Sequence, residues 1–298
     1  MEKNKEMLAG VFSPMCTPFK EDKVFLEGVA RNIEKMNLTG LRGYFVLGTN
    51  GEFKSLTTSE GLQVLKTVLE HRSADKVVMA GTAAESTYET IELTLKAADL
   101  GVDSVSLLMP HFFAKKIDDD VLVSFITDVA DASPVPVVLY NNPSVAAGVT
   151  IGFDVIKRVV DHPNVVGIKD SSKSTYVDAL QADSDHFSVL AGSAGYFLDL
   201  LASGGTGGVL SLANVFPDAS AALYQTFKKG LMQEAEKMSE ELVNLNKQVS
   251  GTYGVAGVKA AMDLAGFIGG NPRKPIKGLT ESQRAELKRA LVDTGFLQ

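Results

Sequence analysis

Short apolar runs that are rich in β-branched residues recur along the first part of the chain. Most of these runs are too short for helices, and consecutive apolar positions are typical of strands buried on both faces. The pattern therefore predicts eight strands, at residues 8–12, 43–47, 77–80, 104–108, 135–140, 165–169, 187–191 and 208–212.

Segments with helical spacing of apolar residues lie between these runs. Strand followed by helix, repeated eight times within about 230 residues, is the pattern of a closed (β/α)8 TIM barrel. The competing arrangement is an open, doubly wound sheet, whose dinucleotide-binding form has a Gly-x-Gly-x-x-Gly turn after its first strand. Residues 13–18, which follow the first predicted strand, contain no glycine. The α/β barrel is therefore the predicted fold.

The strand pattern stops near residue 230. Residues 231–249, 254–266 and 280–291 have helical spacing, and Pro272 and Pro275 interrupt the stretch between the last two. The sequence thus predicts a barrel catalytic domain at 1–230 and a C-terminal helical region at 231–298.

Composition excludes several classes of protein. The 298 residues include 29 Lys and Arg against 36 Asp and Glu, and a net charge of −7 argues against nucleic-acid binding. Cys16 is the single cysteine, which excludes an intramolecular disulfide and a cysteine-clustered zinc site. The charged residues 1–7 do not resemble a signal peptide, and no apolar run is long enough to span a membrane. We therefore expect a cytoplasmic protein.

A lysine and a tyrosine end two neighbouring predicted strands, where active sites of such barrels lie. Lys169 follows an apolar run, and burial would lower its pKa towards that of a Schiff-base nucleophile. Gly167 would leave room below it. Tyr140 takes the equivalent position on the preceding strand and suits proton transfer. Each residue also has a non-catalytic interpretation. The Lys169 side chain could extend to water at the strand end, and Tyr140 could be a core residue with its hydroxyl at the rim of the barrel.

Other strand ends carry weaker signals. The residues at 48–52 predict a strand-to-helix turn that presents N–H groups and a hydroxyl to a small anion. Gly192 and Ser193 end another strand in a turn of the kind that cradles phosphate, although a simple tight turn explains them equally. His111 is interpreted as pocket lining or interface. The acidic run at 118–120 indicates a helix N-terminus rather than a metal site, so no metal is expected.

Four motifs in order resemble the N-acetylneuraminate lyase and dihydrodipicolinate synthase family over nearly the whole chain. They are Gly48-Thr49-Asn50-Gly51-Glu52, Tyr140-Asn141-Asn142-Pro143, Gly167-Ile168-Lys169-Asp170 and Ala191-Gly192-Ser193. The resemblance implies a pyruvate-dependent class I aldolase on a TIM barrel, a carbon–carbon lyase with no cofactor beyond the imine on its lysine. It also implies a homotetramer built as a dimer of dimers.

The resemblance assigns a role to each motif. Lys169 is similar to the lysine that forms the imine with pyruvate, and Tyr140 to the tyrosine that relays protons. Thr49 and Asn50 correspond to the pair that binds the pyruvate carboxylate, and Thr49 is also counted as catalytic. The remaining substrate-binding candidates are Gly48, Gly192, Ser193 and His111.

Two positions depart from the synthases that condense pyruvate with aspartate semialdehyde. Val145 stands where those enzymes have a carboxylate-binding arginine, and Phe112 lies where they have an outer tyrosine. Longer strings look closer to 4-hydroxy-2-oxoglutarate aldolases, which makes cleavage or formation of a related 2-keto acid from pyruvate and an aldehyde the main expectation. The alternatives are dihydrodipicolinate (4-hydroxy-tetrahydrodipicolinate) synthase and a non-catalytic keto-acid-binding paralogue.

Overall fold

A computed structural model describes residues 2–172, 175–182 and 186–297 of the chain. Eight parallel strands close into a barrel, and helices follow them, with a helical part at the C-terminus. The predicted (β/α)8 fold is therefore confirmed. The outer limits of the two predicted domains, residues 1 and 298, lie outside the described residues. The division at residue 230 stays a prediction.

The barrel strands agree with the predicted runs to within a few residues. A short antiparallel hairpin was not predicted, because its turn residues Glu21 and Asp22 both have positive φ and lack the glycine that usually signals such a turn. The barrel strands are β1 (Gly10–Pro14), β4 (Gly43–Val46), β5 (Val77–Gly81), β6 (Ser104–Leu108), β7 (Val137–Asn141), β8 (Val165–Asp170), β9 (Ser188–Ala191) and β10 (Gly207–Val209), and the hairpin is β2 (Phe19–Lys20) with β3 (Lys23–Val24).

Side-chain caps mark several helix starts. Thr57 and Glu60 form a reciprocal capping box, as do Thr280 and Gln283, and Asp118 accepts a hydrogen bond from the Val121 N–H. The helices are α1 (Glu2–Leu8), α2 (Leu26–Asn37), α3 (Thr58–His71), α4 (Thr87–Leu100), α5 (Asp119–Ala132), α6 (Phe153–Val159), α7 (Tyr176–Gln181), α8 (Phe197–Ala202), α9 (Pro217–Lys228), α10 (Met232–Asn246), α11 (Thr252–Leu264) and α12 (Glu281–Asp293). Among the described residues, no helix is long and apolar enough to cross a membrane.

Two compact units make up the chain. The first comprises Met1–Ala9 and Val77–Gly208, and the second comprises Gly10–Lys76 and Val209–Gln298. Buried apolar residues from strands and helices occur in both units.

In the first unit, β5 to β9 pair in sequence order as a parallel sheet. Gly167 on β8 allows the close approach of β9, because a Cβ atom at this position would lie 2.4 Å from the Ser188 carbonyl oxygen. A side chain at residue 167 would therefore disturb the pairing of β8 with β9. The expectation that Gly167 also leaves room for Lys169 stays a prediction.

In the second unit, β1 pairs with β4, and α9 to α12 form the C-terminal helical part. The helix predicted at 231–249 ends at Asn246, and the chain continues through a π-helical turn, Lys247–Gly251, into α11. Gly254 interrupts α11 with φ 57° and ψ −143°, a conformation that glycine adopts without strain. The apolar spacing continues across the π-helical turn, so the sequence pattern extended the first helix to residue 249.

Candidate functional site

Lys169 and Tyr140 lie side by side at the ends of adjacent strands. They are register partners in the β7–β8 pairing, and Lys169 Nζ is 3.8 Å from the centroid of the Tyr140 ring. The sequence predicted this neighbourhood, since both residues end apolar runs and parallel strands bring such ends together. An amine and a phenol at this separation can act on one small molecule.

Burial controls the state of the amine. Lys169 is only 4% exposed, so the alternative in which its side chain reaches water is wrong. Loss of hydration disfavours the charged ammonium and lowers the pKa of Lys169, while the neighbouring Tyr140 acts in the opposite direction. A neutral amine is the nucleophilic form that adds to a carbonyl carbon.

An asparagine that the sequence analysis did not single out holds the phenol. The Asn142 side-chain N–H donates to the Tyr140 hydroxyl oxygen at 2.8 Å, and the Ser144 hydroxyl donates to the side-chain oxygen of Asn142 at 2.6 Å. The second contact determines which end of the amide faces the tyrosine. A donor on the phenol oxygen stabilises negative charge there, which assists transfer of the phenol proton to a substrate.

Asn142→Leu removes this donor while keeping a side chain of similar volume. We expect kcat to fall about 10-fold, less than the roughly 10²–10⁴-fold that a proton-transferring side chain itself contributes, because Tyr140 remains, with little change in KM for pyruvate. Steady-state kinetics measure both constants. Ser144→Ala, which leaves the Asn142 donor in place, is the control, and its kcat should fall less than that of Asn142→Leu. Equal losses of kcat in the two variants would contradict the role assigned to Asn142.

Asp170 ties the ends of β7 and β8 together. Its side chain is fully buried and accepts hydrogen bonds from the Asn141 amide at 2.8 Å, from the Ser172 N–H at 2.9 Å and from the Thr175 hydroxyl. Asn141 in turn accepts a hydrogen bond from the Ile151 N–H. These contacts hold the strand ends on which Tyr140 and Lys169 lie, so both side chains have a rigid base.

Gly192 and Ser193 follow β9 in the first unit. The Gly192 N–H donates to the Asp170 carbonyl oxygen at 2.7 Å, and a Cβ atom on Gly192 would lie 2.0 Å from the Ser171 hydroxyl oxygen. The Ser193 hydroxyl accepts from the Gly195 N–H at 3.2 Å and caps the next turn. Close packing and capping explain both residues, and their substrate-binding role stays a prediction.

His111 lies in the loop after β6. Its Nδ1 donates to the Met109 carbonyl oxygen at 3.0 Å, and its Nε2 is 3.4 Å from the Glu85 carboxylate. Glu85 also accepts from the backbone N–H groups of His111 and Phe112. The adjacent rings of Phe112 and Phe113 are 78% and 70% exposed and meet edge to face. This loop presents an apolar surface and no phenol.

In the second unit, Thr49 and Asn50 lie in a 3-10 turn, Thr49–Gly51, directly after β4. The Asn50 side-chain N–H donates to the Ser211 hydroxyl at 2.9 Å. Gly48 packs on Phe45, since a Cβ atom there would lie 2.6 Å from the Phe45 ring. The predicted strand-to-helix turn is thus present, and the Phe45 ring leaves no room for a side chain at position 48.

A buried ion pair that the sequence analysis missed follows this turn. Lys259, on α11, donates from Nζ to Glu52 Oε1 at 2.6 Å and to the Thr17 carbonyl oxygen at 2.8 Å, and its side chain is fully buried. The Arg273 backbone N–H donates to the other Glu52 oxygen at 2.8 Å. The only signal in the sequence was a lone lysine within an apolar helix.

Comparison with known proteins agrees with this arrangement of motifs. Residues 7–294 match the model of the dihydrodipicolinate synthetase family. The chain belongs to this family. A 4-hydroxy-tetrahydrodipicolinate synthase of Methanothrix thermoacetophila is 34% identical over 96% of both chains, and one of Methanoculleus marisnigri is 31% identical over 97% of this chain and all of the relative.

Solved structures of family members share the fold. A dihydrodipicolinate synthase from Bacillus anthracis superposes with a TM-score of 0.90 at 27% identity, covering 96% of this chain and 98% of the other. A prophage protein of the dihydrodipicolinic acid synthase family from E. coli, solved in complex with pyruvate, also has a TM-score of 0.90 at 27% identity, over 97% and 99% of the two chains.

Membership of the family confirms the prediction of an enzyme. Its members are pyruvate-dependent class I lyases and synthases that act on carbon–carbon bonds through a lysine imine, without an external cofactor. The non-catalytic alternative is therefore disfavoured. The closer resemblance to 4-hydroxy-2-oxoglutarate aldolases stays a prediction.

Proposed function

We propose that this enzyme joins pyruvate to an aldehyde, or cleaves the corresponding 2-keto acid, through an imine on Lys169. The observation that carries the proposal is the buried amine of Lys169 beside the Tyr140 ring. Burial supplies the neutral amine, and the adjacent phenol supplies the proton transfers that imine chemistry requires.

The proposed reaction begins when the Lys169 amine adds to the keto carbon of pyruvate. Tyr140 protonates the hydroxyl of the resulting carbinolamine, and water leaves to give the imine. Loss of a proton from the methyl carbon yields an enamine, and this carbon bonds to the aldehyde carbonyl carbon. The alkoxide takes a proton, and water then hydrolyses the imine to release the product and the amine. Running these steps backwards gives cleavage.

Thr49 and Asn50 are the proposed partners of the pyruvate carboxylate. A hydroxyl and N–H groups are the donors that a carboxylate accepts, and the family resemblance implies the same pair. Gly48 shapes this turn by its packing on Phe45. Gly192, Ser193 and His111 are proposed as further substrate contacts.

The identity of the aldehyde separates two candidate functions. The names of relatives that are 31–34% identical favour 4-hydroxy-tetrahydrodipicolinate synthase, which uses aspartate semialdehyde. Val145 favours an aldolase of the 4-hydroxy-2-oxoglutarate type, because valine cannot make the hydrogen bonds of the synthase arginine and those aldolases resemble this chain in lacking that arginine. Phe112 departs from both groups of enzymes and does not separate them. We propose the pyruvate-dependent synthase activity of the family as the general function, with the aldehyde to be identified by comparing turnover of the two candidates.

Borohydride reduction with pyruvate tests the imine. We expect an adduct on the peptide that contains Lys169, found by mass spectrometry, and the rate of trapping should rise with pH as the amine loses its proton. Because burial lowers the pKa of Lys169, this rise should occur below the pH at which free lysine titrates. An adduct confined to another lysine would contradict the proposed mechanism.

Turnover with the two aldehydes tests the substrate. Purified enzyme is supplied with pyruvate and either aspartate semialdehyde or glyoxylate, and the loss of pyruvate is followed. A kcat/KM at least 10-fold higher for aspartate semialdehyde would favour the synthase, and the reverse ratio would favour the aldolase.

A cytoplasmic location and a homotetramer, built as a dimer of dimers, are further proposals. Light scattering tests the oligomeric state.

A further inference from the structure

A closed ring of hydrogen bonds surrounds the end of the Thr49–Gly51 turn. Glu52 ends the turn with φ 55° and bonds through its N–H to the Thr49 carbonyl oxygen. Its carboxylate accepts from Lys259, whose ammonium also donates to the Thr17 carbonyl oxygen. The Thr17 hydroxyl donates to the Gly51 carbonyl oxygen at 2.8 Å, which returns the ring to the turn.

The three side chains of the ring are buried, so water does not compete for their hydrogen bonds. Lys259 is fully buried, Thr17 is 2% exposed and Glu52 is 6% exposed. A left-handed conformation at a non-glycine residue such as Glu52 persists only where surrounding contacts enforce it. The Lys259 ammonium provides that contact, since it holds the Glu52 carboxylate and the Thr17 carbonyl at once.

A second anchor holds the same segment from Arg273. Its backbone N–H bonds to Glu52, and its guanidinium makes two hydrogen bonds to the Glu60 carboxylate, at 2.7 and 2.9 Å. Lys259 and Arg273 both come from the C-terminal part of the chain, whereas the turn follows β4. The C-terminal helical part therefore determines the conformation of the turn.

We propose that Lys259 and Glu52 are positioning residues for pyruvate: their buried ion pair sets the turn in the geometry in which Thr49 and Asn50 bind the substrate carboxylate. This inference rests on the proposed function of the turn. Donors held in place before the substrate arrives do not lose conformational freedom on binding, so the pair strengthens pyruvate binding without taking part in bond making.

The test measures the pyruvate concentration that gives half-maximal borohydride trapping on Lys169, which does not depend on the aldehyde. The variants are Lys259→Met, Glu52→Gln and the conservative Lys259→Arg. We expect this concentration to rise about 10-fold or more in the first two, the size of effect that loss of a supporting contact has on a pre-organised site. The maximal trapping rate should stay within about 2-fold, and Lys259→Arg should restore part of the binding.

Lys76→Met is the matched control. Lys76 is another buried lysine of the same unit, and its ammonium donates to the carbonyl oxygens of Thr39 and Leu41 at 2.9 Å, before β4 begins. Its loss should lower thermal stability without changing the half-maximal pyruvate concentration. Should Lys259→Met fail to fold, Glu52→Gln and Lys259→Arg carry the test.

The outcomes are distinct. Weaker pyruvate binding in the Glu52 and Lys259 variants, and not in Lys76→Met, supports the positioning role. Unchanged pyruvate dependence, or the same change in Lys76→Met, overturns it and leaves the ion pair a purely structural one. Absence of a trapped adduct from the wild-type enzyme overturns the proposed function itself, and the positioning role with it.

Discussion

Lys169→Met is expected to abolish trapping and turnover while making the protein more stable. Methionine has no nucleophile, so no imine forms, and we expect kcat to fall by at least about 10⁴-fold, the scale of loss for a covalent nucleophile. The same change removes an amine whose burial disfavours its charge. We therefore expect the free energy of unfolding at pH 7 to rise by about 0.5–2 kcal/mol, as is common when a functional group in an unfavourable environment is replaced.

The pH dependence of stability provides an independent check. Because the pKa of Lys169 is lowered in the folded protein, the unfolded chain binds more protons between this pKa and 10.5, and wild-type stability rises with pH in that window. In Lys169→Met this contribution is lost. Urea denaturation at several pH values measures it, with the exposed Lys157→Met as the control. A wild-type dependence retained in full by Lys169→Met would contradict the burial argument.

Among the variants proposed for this protein, Lys259→Met is expected to lower the free energy of unfolding the most. The substitution leaves the Glu52 carboxylate buried without its cation, and removing one partner of a buried ion pair costs about 3–5 kcal/mol. Urea denaturation measures the change in the free energy of unfolding. The loss should reduce the midpoint of unfolding without changing the slope, since the folded structure stays compact.

The double variant Lys259→Met with Glu52→Gln separates the charge from the packing. Because neither side chain then carries a charge, we expect it to be more stable than Lys259→Met alone, recovering roughly 1–2 kcal/mol of the loss. A double variant with the summed loss of the two single variants would show that the two residues act independently, against the observed hydrogen bond between them.

Much of the barrel could be predicted from local patterns. Strand runs, helix spacing and capping residues each depend on neighbours within a few positions, and the structure places most strand ends within two residues of expectation. The hairpin at 19–24 was missed because Glu21 and Asp22 adopt positive φ without glycine. The π-helical turn after Asn246 was missed because the apolar spacing continues across it.

The position of Lys169 beside Tyr140 was also predictable. Both residues end an apolar run, and parallel strands that follow one another along the chain lie together, so two strand ends in sequence become neighbours in space. The burial that lowers the pKa of the amine follows from the same apolar run. Sequence therefore determined the fold class, the order of the strands and the central pair of the proposed site.

Only the tertiary structure decided how that chemistry is supported. Lys259 and Glu52 are 207 positions apart and Asn50 and Ser211 are 161 apart, and no local periodicity couples residues at such separations. A lysine within an apolar helix indicates burial but not its partner, because many carboxylates are available to an unfolded chain. Packing of the C-terminal helical part selected Glu52, since a buried ammonium is stable only where an anion and hydrogen-bond acceptors already surround it.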